Sequence, residues 1–198
     1  METKKNLTKR TAILLWSFFF LAGLLSFPLL ASDRHQGTVE FVLGGFTPND
    51  DQFKKVYQTG GSIRGLVLSA YLVSNFNVYL EFKGWHKTGE LTFSKAKTDF
   101  YLFPLTFGVR YIYPTTWFLP YVGIGTDYYF YYEDNPIGTA TNYAHGYHFQ
   151  VGTYFQASKR IPVWLNLKIK YTSAQTQSPN RTLQLGGLEY AIGLALVF

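Results

Sequence analysis

From Leu188 to Phe198 every even-numbered residue is large and apolar, while the odd-numbered ones are Glu189, Ala191, Gly193, Ala195 and Val197. A period of two places these sets on opposite faces of a β-strand. The same alternation recurs along the chain from residue 33 onward, and no segment there shows a helical period. Val39, Phe41 and Leu43 alternate with Glu40, Val42 and Gly44; Leu66, Leu68, Ala70 and Leu72 alternate with Gly65, Val67, Ser69 and Tyr71. A third run sets Val78, Leu80 and Phe82 against Tyr79, Glu81 and Lys83. The fourth is the clearest, with Tyr101, Phe103, Leu105, Phe107, Val109, Tyr111 and Tyr113 on one face. Further runs begin near Tyr121, Tyr147 and Val163. With the closing stretch they predict eight strands.

Connection lengths supply a second signal. Short connections are expected at Ser74 to Phe76, Pro114 to Trp117 and Ser158 to Pro162. Longer ones are expected at Pro48 to Ser62, Thr88 to Thr98, Glu133 to Asn142 and Ala174 to Gln184. Tight turns at one end and longer loops at the other suit an up-and-down transmembrane barrel with an even strand count. Trp117, Phe118 and Trp164 are expected in an aromatic girdle beside the turns. Tyr128, Phe130, Tyr132 and Tyr147 are expected in a girdle at the opposite end.

Composition separates this from a soluble barrel. Charged residues are 15% of the chain, against roughly 25% for soluble domains, and aromatics reach 19%. The polar face is rich in glycine, at Gly108, Gly123, Gly125, Gly152, Gly187 and Gly193, which fits a crowded interior. There is no cysteine, so no disulfide and no Cys-ligated metal is available. The net charge of +6 comes half from the first ten residues, and no arginine-rich patch accompanies it, so nucleic acid is not an expected partner.

The amino terminus has the layout of an export signal. Residues 1–10 are basic, Thr11 to Ala31 are uncharged, and Pro28 precedes the small residues Ala31 and Ser32. Residues 1–31 are expected to be a cleaved signal peptide and 32–198 an outer-membrane β-barrel domain. The competing reading is an uncleaved anchor, since about 20 apolar residues span a bilayer.

Two segments carry a family resemblance. Pro104-Leu105-Thr106-Phe107-Gly108-Val109-Arg110-Tyr111 with Pro120-Tyr121-Val122-Gly123-Ile124-Gly125 resembles the middle hairpin of the small outer-membrane β-barrels of OmpA, OmpX and OmpW type. Gly186-Gly187-Leu188-Glu189-Tyr190 with Phe198 resembles their end. The resemblance implies an all-β, eight-stranded antiparallel barrel in the outer membrane of a Gram-negative-type envelope; the alternation of short and long connections is expected to put both chain termini of the barrel on the periplasmic side. The resemblance also implies that Tyr190, Ile192, Leu194, Leu196 and Phe198 form the address read by the barrel-assembly machinery.

Candidate site residues are the charges assigned to the lumen: Glu40, Arg64, Glu81, Lys83, Arg110, Asp127, Lys168, Lys170 and Glu189. The interior of an eight-stranded barrel is just wide enough for side chains to fill, and isolated buried charges are costly. An ion-paired plug is therefore expected, with Arg110, Lys168 and Lys170 as partners for Glu189. No cofactor and no metal are expected. His145 and His148, three apart on a strand, face opposite ways and cannot share a metal.

The expected function is a structural, envelope-integrity role through a largely plugged barrel. A small OmpW-like channel for apolar solutes is the alternative. A lipid A-modifying enzyme is disfavoured, because the deacylase His-x-Ser pair is matched here only by Lys170-Tyr171-Thr172. The expected partners are outer-membrane lipid and lipopolysaccharide, the latter met by Lys54, Lys55, Lys87, Lys95 and Lys97. The expected state is monomeric.

Overall fold

A computed structural model describes residues 37–57, 60–91, 94–156, 161–178 and 181–198. The expected signal peptide lies outside the described residues, as does most of the turn from Ser158 to Pro162. The elements are β1 (Gly37–Pro48), α1 (Asp51–Tyr57), β2 (Gly61–Val73), β3 (Phe76–Glu90), β4 (Lys97–Ile112), β5 (Phe118–Asn135), β6 (Gly138–Gln156), β7 (Val163–Ser178), β8 (Arg181–Gln184) and β9 (Gly187–Val197). All strand pairs are antiparallel. Each of β1 to β7 pairs with its sequence neighbour, and β9 joins β7 to β1, so the sheet closes on itself.

The short β8 is the upper part of the last stave. Its register continues across the break at Leu185-Gly186, with Gln175 facing Gln184 above it and Thr172 facing Gly187 below. Eight staves therefore form the wall, as the alternation predicts. Below the loop-end tips each described stave is paired on both sides, the condition for strands to cross lipid.

The faces are inverted relative to a soluble barrel. Phe41 is 62% exposed while its neighbour Glu40 is wholly buried, and the same contrast runs up every stave. Leu43, Phe107, Ile124, Phe149, Ile169 and Ile192 all project outward. An outer surface this apolar, continued around a closed wall, is compatible with hydrocarbon and not with water.

Several expectations need correction. Two of the four long connections are mostly strand, since β5 and β6 run to Asn135 and Gly138 and β7 and β8 to Ser178 and Arg181, and a third is shortened because β3 and β4 run to Glu90 and Lys97. Beyond the lipid, both faces of a hairpin are polar, so the apolar alternation that reveals a strand fades before the strand ends. The remaining connection holds α1, which the absence of a long helical period hid. Its signal is local, because the Asp50 carboxylate accepts the Phe53 N–H at 2.9 Å as an N-cap. Phe53 and Tyr57, four apart, then share one face. Trp164 is not a girdle residue; it points inward and packs on Tyr154 with ring centroids 5.7 Å apart. Trp117 does lie outward, as expected.

Candidate functional site: a neutral, filled lumen

Inward positions divide into three layers along the barrel. At the turn end Ile112, Tyr121, Tyr154, Trp164 and Val197 form an apolar floor. At the loop end Phe46, Ile63, Trp85, Phe100, Leu102, Tyr129 and Tyr131 form an aromatic chamber. Between them sit the charges.

Six charged side chains make the central cluster. Lys83 on β3 reaches across to both oxygens of Glu189 on β9, at 2.7 and 2.9 Å, and also contacts Glu81. Lys168 meets Glu81 at 2.6 Å and Glu189 at 3.8 Å. Lys170 meets Asp127 at 2.9 Å, with Glu81 at 3.6 Å and Glu189 at 3.9 Å. Three lysines thus interleave with three carboxylates, and all six side chains are buried. Their nearly complete mutual pairing is what makes such burial tolerable.

Asp127 is also the centre of a hydrogen-bond fan. It accepts from Thr106, from Thr172 at 3.3 Å and from His148 Nδ1 at 2.7 Å, and His148 Nε2 lies 2.5 Å from the Tyr79 hydroxyl. Opposite facing of the two histidines is as expected, with His148 buried and His145 outside, where its Nε2 lies 2.7 Å from the Thr126 hydroxyl. No group of residues with metal-ligand geometry occurs among the described residues.

The other two buried charges are held by neutral groups. Glu40 accepts from Asn166 at 2.7 Å and from the Tyr154 hydroxyl at 3.0 Å. Arg110 donates from Nε to Asn77 at 2.8 Å, and its guanidinium lies 5.2–5.3 Å from the ring centroids of Tyr79, Tyr121 and Tyr154. Three π-faces around one cation replace part of its lost hydration. A side chain at Gly193 would run into the Glu40 carboxylate, so glycine there makes room for the acid.

Eight of the nine expected lumen charges are inside. The exception is Arg64, which is exposed on the outer face. Its number has the parity of Leu66 and Leu68, and parity decides direction on a strand whatever the side chain's polarity. Removing Arg64 leaves four acids and four bases in the lumen, a formally neutral plug. Glu189 is also paired differently from expectation, since Lys83 is its closest partner and Arg110 is not among its contacts. Tyr79, Thr106, His148, Asn77 and Asn166 were not among the expected lumen network. Their inward parity was the available signal.

The aromatic chamber is stoppered by α1. Phe53 meets Phe100 edge to face at 4.9 Å, and Tyr57 packs 5.4 Å from Phe100. The Tyr57 hydroxyl donates to Glu133 at 2.8 Å, and burial raises its pKa above the ordinary phenol value, keeping it a donor. Asp50, besides capping α1, accepts from the Gln184 backbone at 3.2 Å and so ties the stopper to the last stave.

No protein-family model matches the chain, and no curated protein matches it significantly. Solved structures do match. The chain has the fold of the small eight-stranded outer-membrane β-barrels. Neisserial surface protein A superimposes with a TM-score of 0.60 at 14% identity, covering 82% of this chain and 97% of that one. The outer-membrane protein OprG from Pseudomonas aeruginosa gives 0.62 at 15% identity, covering 83% and 97%. The Escherichia coli outer membrane protein W gives 0.52 at 14%, covering 83% and 100%. At these identities the likeness concerns the barrel and not what fills it.

Lys170 and Thr172, the nearest match to a deacylase pair, point into this barrel's lumen. Both contact Asp127 there.

Proposed function

We propose that this outer-membrane barrel is a non-conducting structural element of the envelope, with lipid and lipopolysaccharide as its surroundings. The observation that carries the reading is the neutral cluster of Glu81, Lys83, Asp127, Lys168, Lys170 and Glu189, with aromatic layers above and below it. Ions crossing such a lumen would have to break several buried ion pairs at once. The barrel acts as a monomer and catalyses no reaction on this reading, and the assembly machinery meets it through the last stave.

Planar-bilayer recording and liposome swelling test the proposal. The expected result is no reproducible conductance step and no solute-dependent swelling. Stable, repeated steps from the purified protein would overturn it. In cells, loss of the protein is expected to raise sensitivity to detergents and bile salts without changing small-solute uptake.

A second reading, a conduit for small apolar solutes, is favoured by one feature. The β3–β4 ladder lapses between Phe82↔Leu105 and Trp85↔Leu102, beside the aromatic chamber. That route requires Phe53 and Tyr57 to leave the chamber. Faster uptake of an apolar dye into proteoliposomes on Phe53→Ala would support it.

A further inference from the structure

The outward-facing Arg64 stands in a surface otherwise built for hydrocarbon. It pairs in register with Gly84 on β3 and Leu43 on β1, and Leu66 follows it outward on its own strand. Among the described residues its side chain makes no hydrogen bond or ion pair. A guanidinium on a lipid-facing wall is costly unless it reaches the interface or meets an anion.

The wall beside it is hollow. Gly84 carries no side chain, and a Cβ there would meet nothing within 4 Å. Pro104 has no N–H to give, and the β3–β4 ladder skips Lys83 opposite Pro104 and Gly84 opposite Phe103. The result is a groove of about 860 Å³ on the outer surface, lined by Arg64, Leu66, Phe82, Phe103 and Leu105. Its upper rim is His86 stacked on Tyr101, with ring centroids 4.4 Å apart, and above them His86 contacts Asp99 at 3.1 Å. An exposed, partnered Asp99 marks water, so the groove begins at the interface of the loop-end leaflet and runs down into the acyl region.

We propose that this groove is a binding site for one lipid A molecule of the outer leaflet. A phosphate would meet the Arg64 guanidinium, and one acyl chain would lie over Gly84 between Phe82 and Phe103. Arginine suits this role because its planar fork matches phosphate oxygens in paired hydrogen bonds. The missing side chain at Gly84 gives the chain a place to lie. The site rests on the outer-membrane placement given above but is independent of whether the lumen conducts.

Native mass spectrometry of the full protein in detergent, with added bisphosphoryl lipid A, tests the site. One lipid A is expected to be retained per barrel. Arg64→Met is expected to weaken retention about tenfold, the scale of a lost charge-assisted hydrogen bond, Arg64→Lys to weaken it less, and Gly84→Leu to weaken it by filling the place of the acyl chain. Heat-modifiable migration of each variant shows that the barrel is folded. Phosphatidylglycerol, which offers a phosphate and acyl chains without the glucosamine backbone, is expected to compete poorly. Unchanged retention by folded Arg64→Met would overturn the proposal. Equal competition by phosphatidylglycerol would overturn the assignment to lipid A.

Discussion

Lys83 and Glu189 are 106 residues apart in sequence, yet Nζ of one lies 2.7 and 2.9 Å from the two carboxylate oxygens of the other. They come from staves β3 and β9, which are not neighbours in the sheet. The pair spans the lumen and acts as a cross-brace. Because Glu81 contacts the same ammonium and Lys168 bridges the same two acids, the brace belongs to a network and not to one bond.

Removing one member of the brace should cost more than removing two. Lys83→Met leaves Glu189 with only the more distant Lys168 and Lys170, and a loss of about 3–5 kcal/mol is expected for a broken buried pair. Lys83→Met with Glu189→Leu should recover much of it, because no uncompensated charge then remains. Urea unfolding in liposomes of both single variants and the double variant gives the coupling. Strict additivity would contradict the network.

The stopper helix should be separable from the wall. Phe53→Ala removes the ring seated on Phe100 and Trp85. Protease sensitivity of residues 49–57 should rise severalfold while heat-modifiable migration stays that of a folded barrel. Collapse of the barrel itself would show that α1 is structural to the wall.

At the rim, the Thr88 hydroxyl and the His86 ring hold the Asp99 carboxyl below its ordinary value. A carboxylate depressed in the folded state contributes stability above its unfolded value, near ~3.9, and loses it as pH falls through the folded value. The β3–β4 tip should therefore be fully ordered at neutral pH and loosen only in strong acid. Carboxyl-carbon NMR of Asp99 should titrate below the usual range, and Thr88→Ala should move the midpoint upward. A normal midpoint in the wild-type protein would refute the contact.

Phe198 sits at the turn end, where its backbone exchanges hydrogen bonds with Gly37 at 3.0 and 3.1 Å while its ring faces outward. Deleting it should lower outer-membrane levels severalfold, and refolding of the purified variant into detergent should suffer much less. Immunoblots of outer-membrane fractions measure the first, heat-modifiable migration the second. Equal outer-membrane levels with and without Phe198 would remove the assembly role.

Much of the wall was legible because lipid and lumen impose opposite demands on alternate residues. Tyr101 to Ile112 on β4 carries that contrast without a break, so strand and face follow from parity. The strand tips above lipid were not legible, because nothing apolar marks a face there. α1 was too short to show a period, although Asp50, Phe53 and Tyr57 hold its cap and its face. Arg64 was misplaced by reading polarity where parity decides.

The sequence by itself determined that a closed barrel forms and which side chains enter it, since alternation is a local property of each strand. It also contained the charges that neutralise one another inside. Which lysine meets which carboxylate was decided only by the tertiary structure, because Lys83 and Glu189 are joined by the curvature and stagger of the closed sheet. The groove at Arg64 has the same origin. Gly84 is an ordinary residue in the sequence, and it becomes a hollow only where the register sets it between Arg64 on one side and the lapse in the β3–β4 ladder on the other.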